Sequence, residues 1–167
     1  MKRRIYVRVP TKADEREFIA AARASRILHG KWIDAPDTPE KFRAYIGRIK
    51  AGNLFPLLVC DEASKSMVGV FNISNAIMGS FCSAYLGYYA FSGFERQGLM
   101  REGLRAVVKH AFGQMKLHRL EANIQPQNIA SIALVRSAGF KLEGYSPKYL
   151  KIFGRWRDHE RWAIVAD

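Results

Sequence analysis

Cysteine is scarce: Cys60 and Cys82 are the only two in 167 residues. Both sit in apolar, strand-like surroundings, so they read as buried thiols of a reducing compartment and not as a disulfide or a metal site. No run approaches the roughly 18 apolar residues of a membrane-spanning helix. The opening MKRRIYVRVPTKADE lacks the apolar stretch of about seven residues or more that a secretion signal uses, and the expected location is cytoplasmic, away from membranes. Two phosphate-binding fingerprints are missing as well, G-x-G-x-x-G and G-x-x-x-x-G-K-[ST], which removes the commonest dinucleotide and nucleoside-triphosphate loops. No linker, repeat or low-complexity tract interrupts the chain, so residues 1–167 read as one domain, long enough to bury about two-thirds of the surface its unfolded chain exposes. Acidic side chains are also few, 15 against 27 basic ones, for a formal charge of +12. That excess suits a polyanionic neighbour, whether nucleic acid, a nucleoprotein particle or a phosphate-bearing small molecule, and is equally met by a solvated basic surface. Basic residues gather at Lys2 to Arg4, at Arg43 to Lys50 and in KIFGRWRDHER (Lys151 to Arg161), without the aromatic-basic repeat of a single-strand-binding platform.

What is present is periodicity that changes along the chain. Ile5 to Val9 alternates as a first strand. Thr11 caps a helix expected over Asp14 to Leu28, with Phe18, Ile19, Ala22 and Ala24 near one side and a break at Gly30. DTPEKFRAYIGRIKAGN predicts a second helix, capped by Thr38, with Pro39 in its first turn and Phe42, Tyr45, Ile46 and Ile49 as its apolar stripe. Strands are expected at Phe55 to Asp61, Ser66 to Ser74 and Ser83 to Phe91. From Gly98 to Met115 the apolar spacing lengthens from two toward 3.6 residues and predicts a helix. His118 to Ile124 reads as a strand, and Asn128 to Gly139 as a helix with a cap residue at each end. Two strands around an irregular middle at Gly154 close an α+β domain.

The stretch FERQGLMREGL, Phe94 to Leu104, places Gly98 between a strand and a helix. A helix start leaves four backbone amides unpaired and carries partial positive charge, so a tight loop entering a helix there can hold a pyrophosphate, with Arg96 and Arg101 adding charge and Gln97 a neutral donor. The residues alone leave that reading beside a simple turn glycine.

Taken together, AYLGYYAFSGFERQGLMREGL, HRLEANIQPQNIASIALVRSAGFKLEGY and LKIFGRWRDHERWAI resemble the Gcn5-related N-acetyltransferase family, and in particular its ribosomal-protein alanine N-acetyltransferase branch, from about Phe55 to Ile164. The resemblance implies an α/β/α layered α+β domain with four main helices and a mixed, mostly antiparallel sheet of six or seven strands. It implies acetyl-coenzyme A as acetyl donor and no metal. The family's pyrophosphate loop, Q/R-x-x-G-x-G/A, falls on Glu95, Arg96, Gln97, Gly98, Leu99 and Met100. Glu95 replaces the expected glutamine or arginine and Met100 the small last residue, so Glu95 is expected to turn outward, with the amides from Arg96 to Arg101 as ligands. By resemblance Tyr88, Tyr89 and Ala90 offer backbone groups to the pantetheine arm, Asn128 and Ser131 match the N-x-x-S near the thiol, and Trp32 and Tyr85 line the substrate channel. Asn128 can also be a plain cap, and Ser131 can bond its own turn.

Transfer from a thioester to an amine needs a neutral amine, an oxyanion stabiliser and a proton for the departing sulfur. An N-terminal amine, with a pKa near 8, asks little of a base. Glu121 is the carboxylate candidate for that work; it reads equally as a sheet-surface group paired with Arg119. Val135 stands where many relatives have an acid tyrosine and Leu150 where some of the alanine branch have a glutamate, and Ser131 is the candidate acid. The implied acceptor is the N-terminus of a protein or peptide, a ribosomal protein among them, with weak electrostatic association with ribosomal RNA and a monomeric or homodimeric state. A small-molecule amine, or a non-catalytic coenzyme A- or ribosome-binding role, is the alternative.

Overall fold

The computed structural model describes residues 4–167; Lys2 and Arg3 of the N-terminal basic cluster lie outside them. In chain order the elements are β1 (Ile5–Arg8), α1 (Glu15–Ala24), α2 (Arg26–His29), α3 (Pro39–Lys50), β2 (Leu54–Asp61), β3 (Met67–Ile77), β4 (Ser83–Ala90), α4 (Leu99–Gly113), β5 (Arg119–Ile124), α5 (Ile129–Ser137), β6 (Lys141–Ile152) and β7 (Arg155–Val165). The strands form one sheet in the order β1-β2-β3-β4-β5-β7-β6. Every neighbouring pair is antiparallel except β4 and β5.

Helices cover both faces of this sheet. On one, Leu104, Val107 and Ala111 of α4 and Val135 of α5 pack with Val59, Phe71, Leu86 and Leu120. On the other, Phe18 and Ile19 of α1 and Phe42, Tyr45 and Ile46 of α3 meet Leu58, Cys60, Val70 and Phe91. The result is an α/β/α layered single α+β domain. Double coverage explains why β2 reads LFPLLVCD, nearly apolar throughout, whereas β5 alternates buried and half-buried residues under helices on one face only.

Local signals place most elements. Thr38 Oγ1 accepts from Lys41 N at 3.2 Å ahead of Pro39, so α3 starts as its cap and proline predict. The expected first helix is instead two. Its periodicity runs from Asp14 to Leu28, but the chain breaks at Ser25 into α1 and α2, and Ala24 is exposed. Ser25 is fully buried; its hydroxyl donates to Ala21 O at 2.6 Å and accepts from Ser92 N at 2.8 Å. A side chain that bonds back to the preceding turn and at the same time holds a distant loop competes with a continuous helix. Replacing Ser25 with alanine leaves the Ser92 amide without that partner, and a stability loss of about 1–3 kcal/mol is expected by urea denaturation. Thr11 precedes a short 3₁₀ turn (Lys12–Asp14) and acts through its amide, which donates to Asp14 Oδ2 at 2.7 Å. β3 runs on to Ile77 past a register irregularity after Ser74. The expected irregular middle at Gly154 is a tight turn at Phe153 and Gly154 between two long strands.

Candidate functional site

The β4–β5 ladder is short. It pairs Ser83 with Arg119, Ala84 with Leu120 and Tyr85 with Glu121, then ends. β4 continues to Ala90 against β3 alone, so beyond Tyr85 one backbone edge of β4 is open. A cleft of about 760 Å³ lies along that opening, walled by the end of β4, the Phe94–Arg101 segment, α5 through Asn128, Ser131 and Leu134, and Leu28, His29, Trp32 and Ile33.

Hydrogen bonding in antiparallel pairs alternates. Phe91 N donates to Val68 O at 2.7 Å, so Tyr89 also turns its backbone toward β3 while Tyr88 and Ala90 turn theirs to the cleft. Of the three residues expected to offer main-chain groups, Tyr89 therefore does not. The Ala90 carbonyl is already engaged, accepting from His29 Nε2 at 2.7 Å. His29 is buried, which holds its imidazole below the ordinary value, and the carbonyl acceptor fixes the proton on Nε2. Sequence reasoning missed this residue; only the short helix α2 brings it under β4.

The loop into α4 is shaped by two left-handed residues, Arg96 at φ 60° and Gly98 at φ 76°. Gly98 is the N-cap of α4, not its first residue, and the first intrahelical bond runs from Glu102 N to Gly98 O at 3.1 Å. The amides of Leu99, Met100 and Arg101 precede that bond and have no acceptor within the helix. Glu95 is exposed, and its Oε2 accepts from Gly93 N at 2.8 Å, so the carboxylate is spent bracing the loop. Gln97 folds back as well: its Nε2 donates one of its two N–H groups to Gly93 O at 3.2 Å, and the side chain stays at the cleft wall. Met100 fits because Gly69 of β3 lies beneath it. A Cβ at Gly69 would stand 2.6 Å from Met100 Sδ and 2.6 Å from Tyr89 O, so the bulky residue in the loop is matched by a missing side chain in the sheet. The second unforeseen residue is Arg4. Its guanidinium pairs with Glu102, donates to Gln97 O at 3.2 Å, and with Arg101 flanks Gly98. A residue just ahead of β1 thus reaches the loop, and no spacing in the sequence signals it.

Ser131 lies across the cleft on α5. Its Oγ is 2.6 Å from the Tyr88 hydroxyl, which also donates to Ser131 O at 3.2 Å. Burial pushes the Tyr88 phenol well above its ordinary value, so it is neutral and holds its proton. Asn128 caps α5, its Oδ1 accepting from Ser131 N at 3.3 Å, and it also lines the cleft. The cap reading of Asn128 therefore holds, and the same side chain borders the cleft.

The other sheet face holds the second half of the site. Leu120 and Ala122 are buried under α4 and α5, so Glu121 and Tyr85, partners in the ladder, project to the opposite face. Glu121 Oε1 accepts from Arg119 Nε at 2.7 Å, and Arg119 also pairs with Glu143. Neither Glu121 nor Tyr85 lines the cleft that holds Ser131 and Trp32, which runs through the opening of the sheet and takes lining from both faces. A separate cavity of about 430 Å³ opens on this second face among Asp34, Tyr45, Asn72, Ser74, Gly87 and Tyr89. Tyr45 donates to Asn72 Oδ1 at 2.7 Å, and the buried Tyr89 hydroxyl has no partner. Tyr89 borders both cavities. Among the described residues, no group of three or more histidine, cysteine, aspartate or glutamate side chains is arranged to hold a metal ion, and no helix is long and apolar enough to cross a membrane.

Burial also depresses the His159 imidazole. In the unfolded chain both His29 and His159 take up protons near pH 6.5. Their contribution is thus present above about pH 6.5 and is lost as the pH falls below it, because the unfolded state then binds more protons. Urea midpoints at pH 7.5, 6 and 5 are expected to fall in that order, with a shallower fall in His29→Gln.

Residues 4–141 match the family model of the acetyltransferase (GNAT) domain. A [ribosomal protein uS5]-alanine N-acetyltransferase of Escherichia coli K12 is 38% identical over 131 residues, covering 76% of this chain and 68% of the relative. Among solved structures, Mycobacterium smegmatis RimJ in complex with CoA-disulfide superposes with a TM-score of 0.87 at 25% identity, over 97% of this chain and 82% of that one. The ribosomal-protein-S5-alanine acetyltransferase of Vibrio fischeri shares the fold with a TM-score of 0.87 at 24% identity, over 100% and 96%.

Proposed function

Because the chain belongs to the GNAT acetyltransferase family and is an acetyl-CoA-dependent N-acetyltransferase, we propose that its acceptor is the N-terminal α-amino group of a ribosomal protein. The observation that carries this is the fork after Tyr85 and Glu121, with a large cleft running through it and a smaller polar cavity on the second face. A donor and an acceptor entering from opposite faces meet at such a fork. Likeness to the uS5-alanine enzyme supports the choice of amine.

The cleft suits the donor. It runs from the α4 loop to Ser131 beside the end of β4, and its loop end offers the Leu99, Met100 and Arg101 amides with Arg4, Arg96 and Arg101 nearby, a setting for a pyrophosphate. Gly98 and its left-handed backbone aim those amides. Tyr88 and the Ala90 amide offer main-chain groups to the arm, and Asn128 its side-chain NH₂. When bound, the thioester supplies an activated acetyl group.

Ser131 Oγ then delivers a proton to the departing sulfur and regains one from solvent, while Tyr88, 2.6 Å behind it, keeps its own proton and orients that hydroxyl. Glu121 takes, through a water, the proton that the amine loses. With a pKa near 8, an N-terminal amine is partly neutral at ordinary pH, so only the proton released on attack has to be taken. Trp32 walls the donor side and Tyr85 the acceptor side. Residues 1–167 form one acyltransferase domain in this reading, since β7 pairs with β5 and completes the sheet, and a cytoplasmic location goes with a ribosomal substrate.

Purified protein with radiolabelled acetyl-CoA is tested against peptides beginning with alanine, serine or methionine, alongside a free polyamine and an amino sugar. Label at a peptide N-terminus is expected. Label on the small amines alone overturns the acceptor, and no labelled product overturns the mechanism.

A further inference from the structure

The β6–β7 hairpin outruns the sheet. The last pair that β7 makes with β5 is Glu160 with Ile124, yet β7 and β6 stay paired to Arg155 and Ile152. The part from Arg155 to His159 and the strand facing it is a two-stranded ribbon with no third strand, an arrangement that is marginal in water without a partner. Its tip exposes Phe153 at 57% and Trp156 at 60%. Lys148, Lys151, Arg155 and Arg157 lie in the same ribbon, and none forms an ion pair among the described residues. The one acid among them, Asp158, is engaged within the hairpin: its Oδ1 accepts from Lys148 N at 2.8 Å and its Oδ2 from the Tyr145 hydroxyl.

We propose that this ribbon docks RNA through unpaired bases, the rings stacking on bases and the four cations meeting phosphates. Lys151 and Trp156 are cross-strand partners, so cation and ring share a face. Arg157 faces Leu150 and Arg155 faces Ile152, so the cations occupy both faces of the ribbon. A membrane-surface element would segregate charge from apolar groups; mixing them on each face suits a chain of alternating phosphates and bases. Along the sequence no aromatic-basic repeat is visible, because pairing across the turn is what brings Lys151 beside Trp156. The proposal goes beyond the acceptor assignment and does not depend on it.

Fluorescence anisotropy with a labelled, uridine-rich single-stranded RNA tests it, beside heparin and phosphatidylserine vesicles, while acetylation of a short peptide is read separately. Trp156→Ala and the pair Lys151→Glu with Arg155→Glu are each expected to weaken RNA binding by about ten-fold or more, the order of one lost stack or two phosphate contacts. The charge pair also flattens the dependence of log K on log salt by about 1.4 units, and peptide acetylation and thermal midpoint stay unchanged in both variants. Absence of RNA binding in the parent protein overturns the proposal. So does RNA binding unaltered by either change, binding to vesicles in preference to RNA, or heparin binding of equal strength that is indifferent to Trp156.

Discussion

Ser131→Ala is expected to lower kcat by about 10²–10⁴-fold, the usual worth of a positioned acid, with little change in the KM for acetyl-CoA. The substitution keeps the helix start, because the Ser131 amide still donates to Asn128 Oδ1; only the hydroxyl facing Tyr88 is removed. Tyr88→Phe keeps the buried ring and deletes the hydroxyl's bonds to Ser131 Oγ and Ser131 O without removing the acid itself, so a smaller loss of about ten-fold is expected. If the two hydroxyls act as one unit, the double variant is no slower than Ser131→Ala alone. Steady-state kinetics on all three decide it. An unchanged kcat in Ser131→Ala removes the acid role and leaves the residue a helix-start serine.

Gly98→Val is expected to raise the dissociation constant for coenzyme A about 10- to 100-fold while leaving the thermal midpoint within a few degrees. Space is not the reason, since an added Cβ would meet only Arg4 Nη2 at 3.6 Å and Arg101 Nη2 at 3.9 Å. Conformation is: a β-branched residue at φ 76° is strained by at least about 1–2 kcal/mol. Relaxing that strain re-aims the amides that follow, each a charge-assisted bond of about 1.5–3 kcal/mol to a phosphate. Gly98→Asn is the control, because asparagine visits the left-handed region, and it is expected to bind nearly as the parent does. Calorimetric titration with coenzyme A distinguishes the outcomes. Equal affinity in the valine variant contradicts a pyrophosphate at this loop.

The amino-acid sequence by itself determined what acts over a few residues. Thr38 with Pro39, Asn128 and Gly98 mark three helix starts because a cap is a contact between near neighbours. Alternation and the 3.6-residue period locate strands and helices because burial repeats with them. The order of three motifs carried the family, the donor loop and Ser131 as a candidate. Where sequence reasoning failed, the deciding partner was distant. Ser25 splits a helix to hold Ser92, His29 takes the Ala90 carbonyl, Arg4 reaches the loop 93 positions on at Gln97, and Gly69 makes room for Met100. Register decided the rest: it turned Tyr89 toward β3, set Glu121 on the face opposite Ser131, and laid Lys151 against Trp156. Pairing between strands fixes which side chains meet across tens of residues, and that information exists only once the sheet has formed.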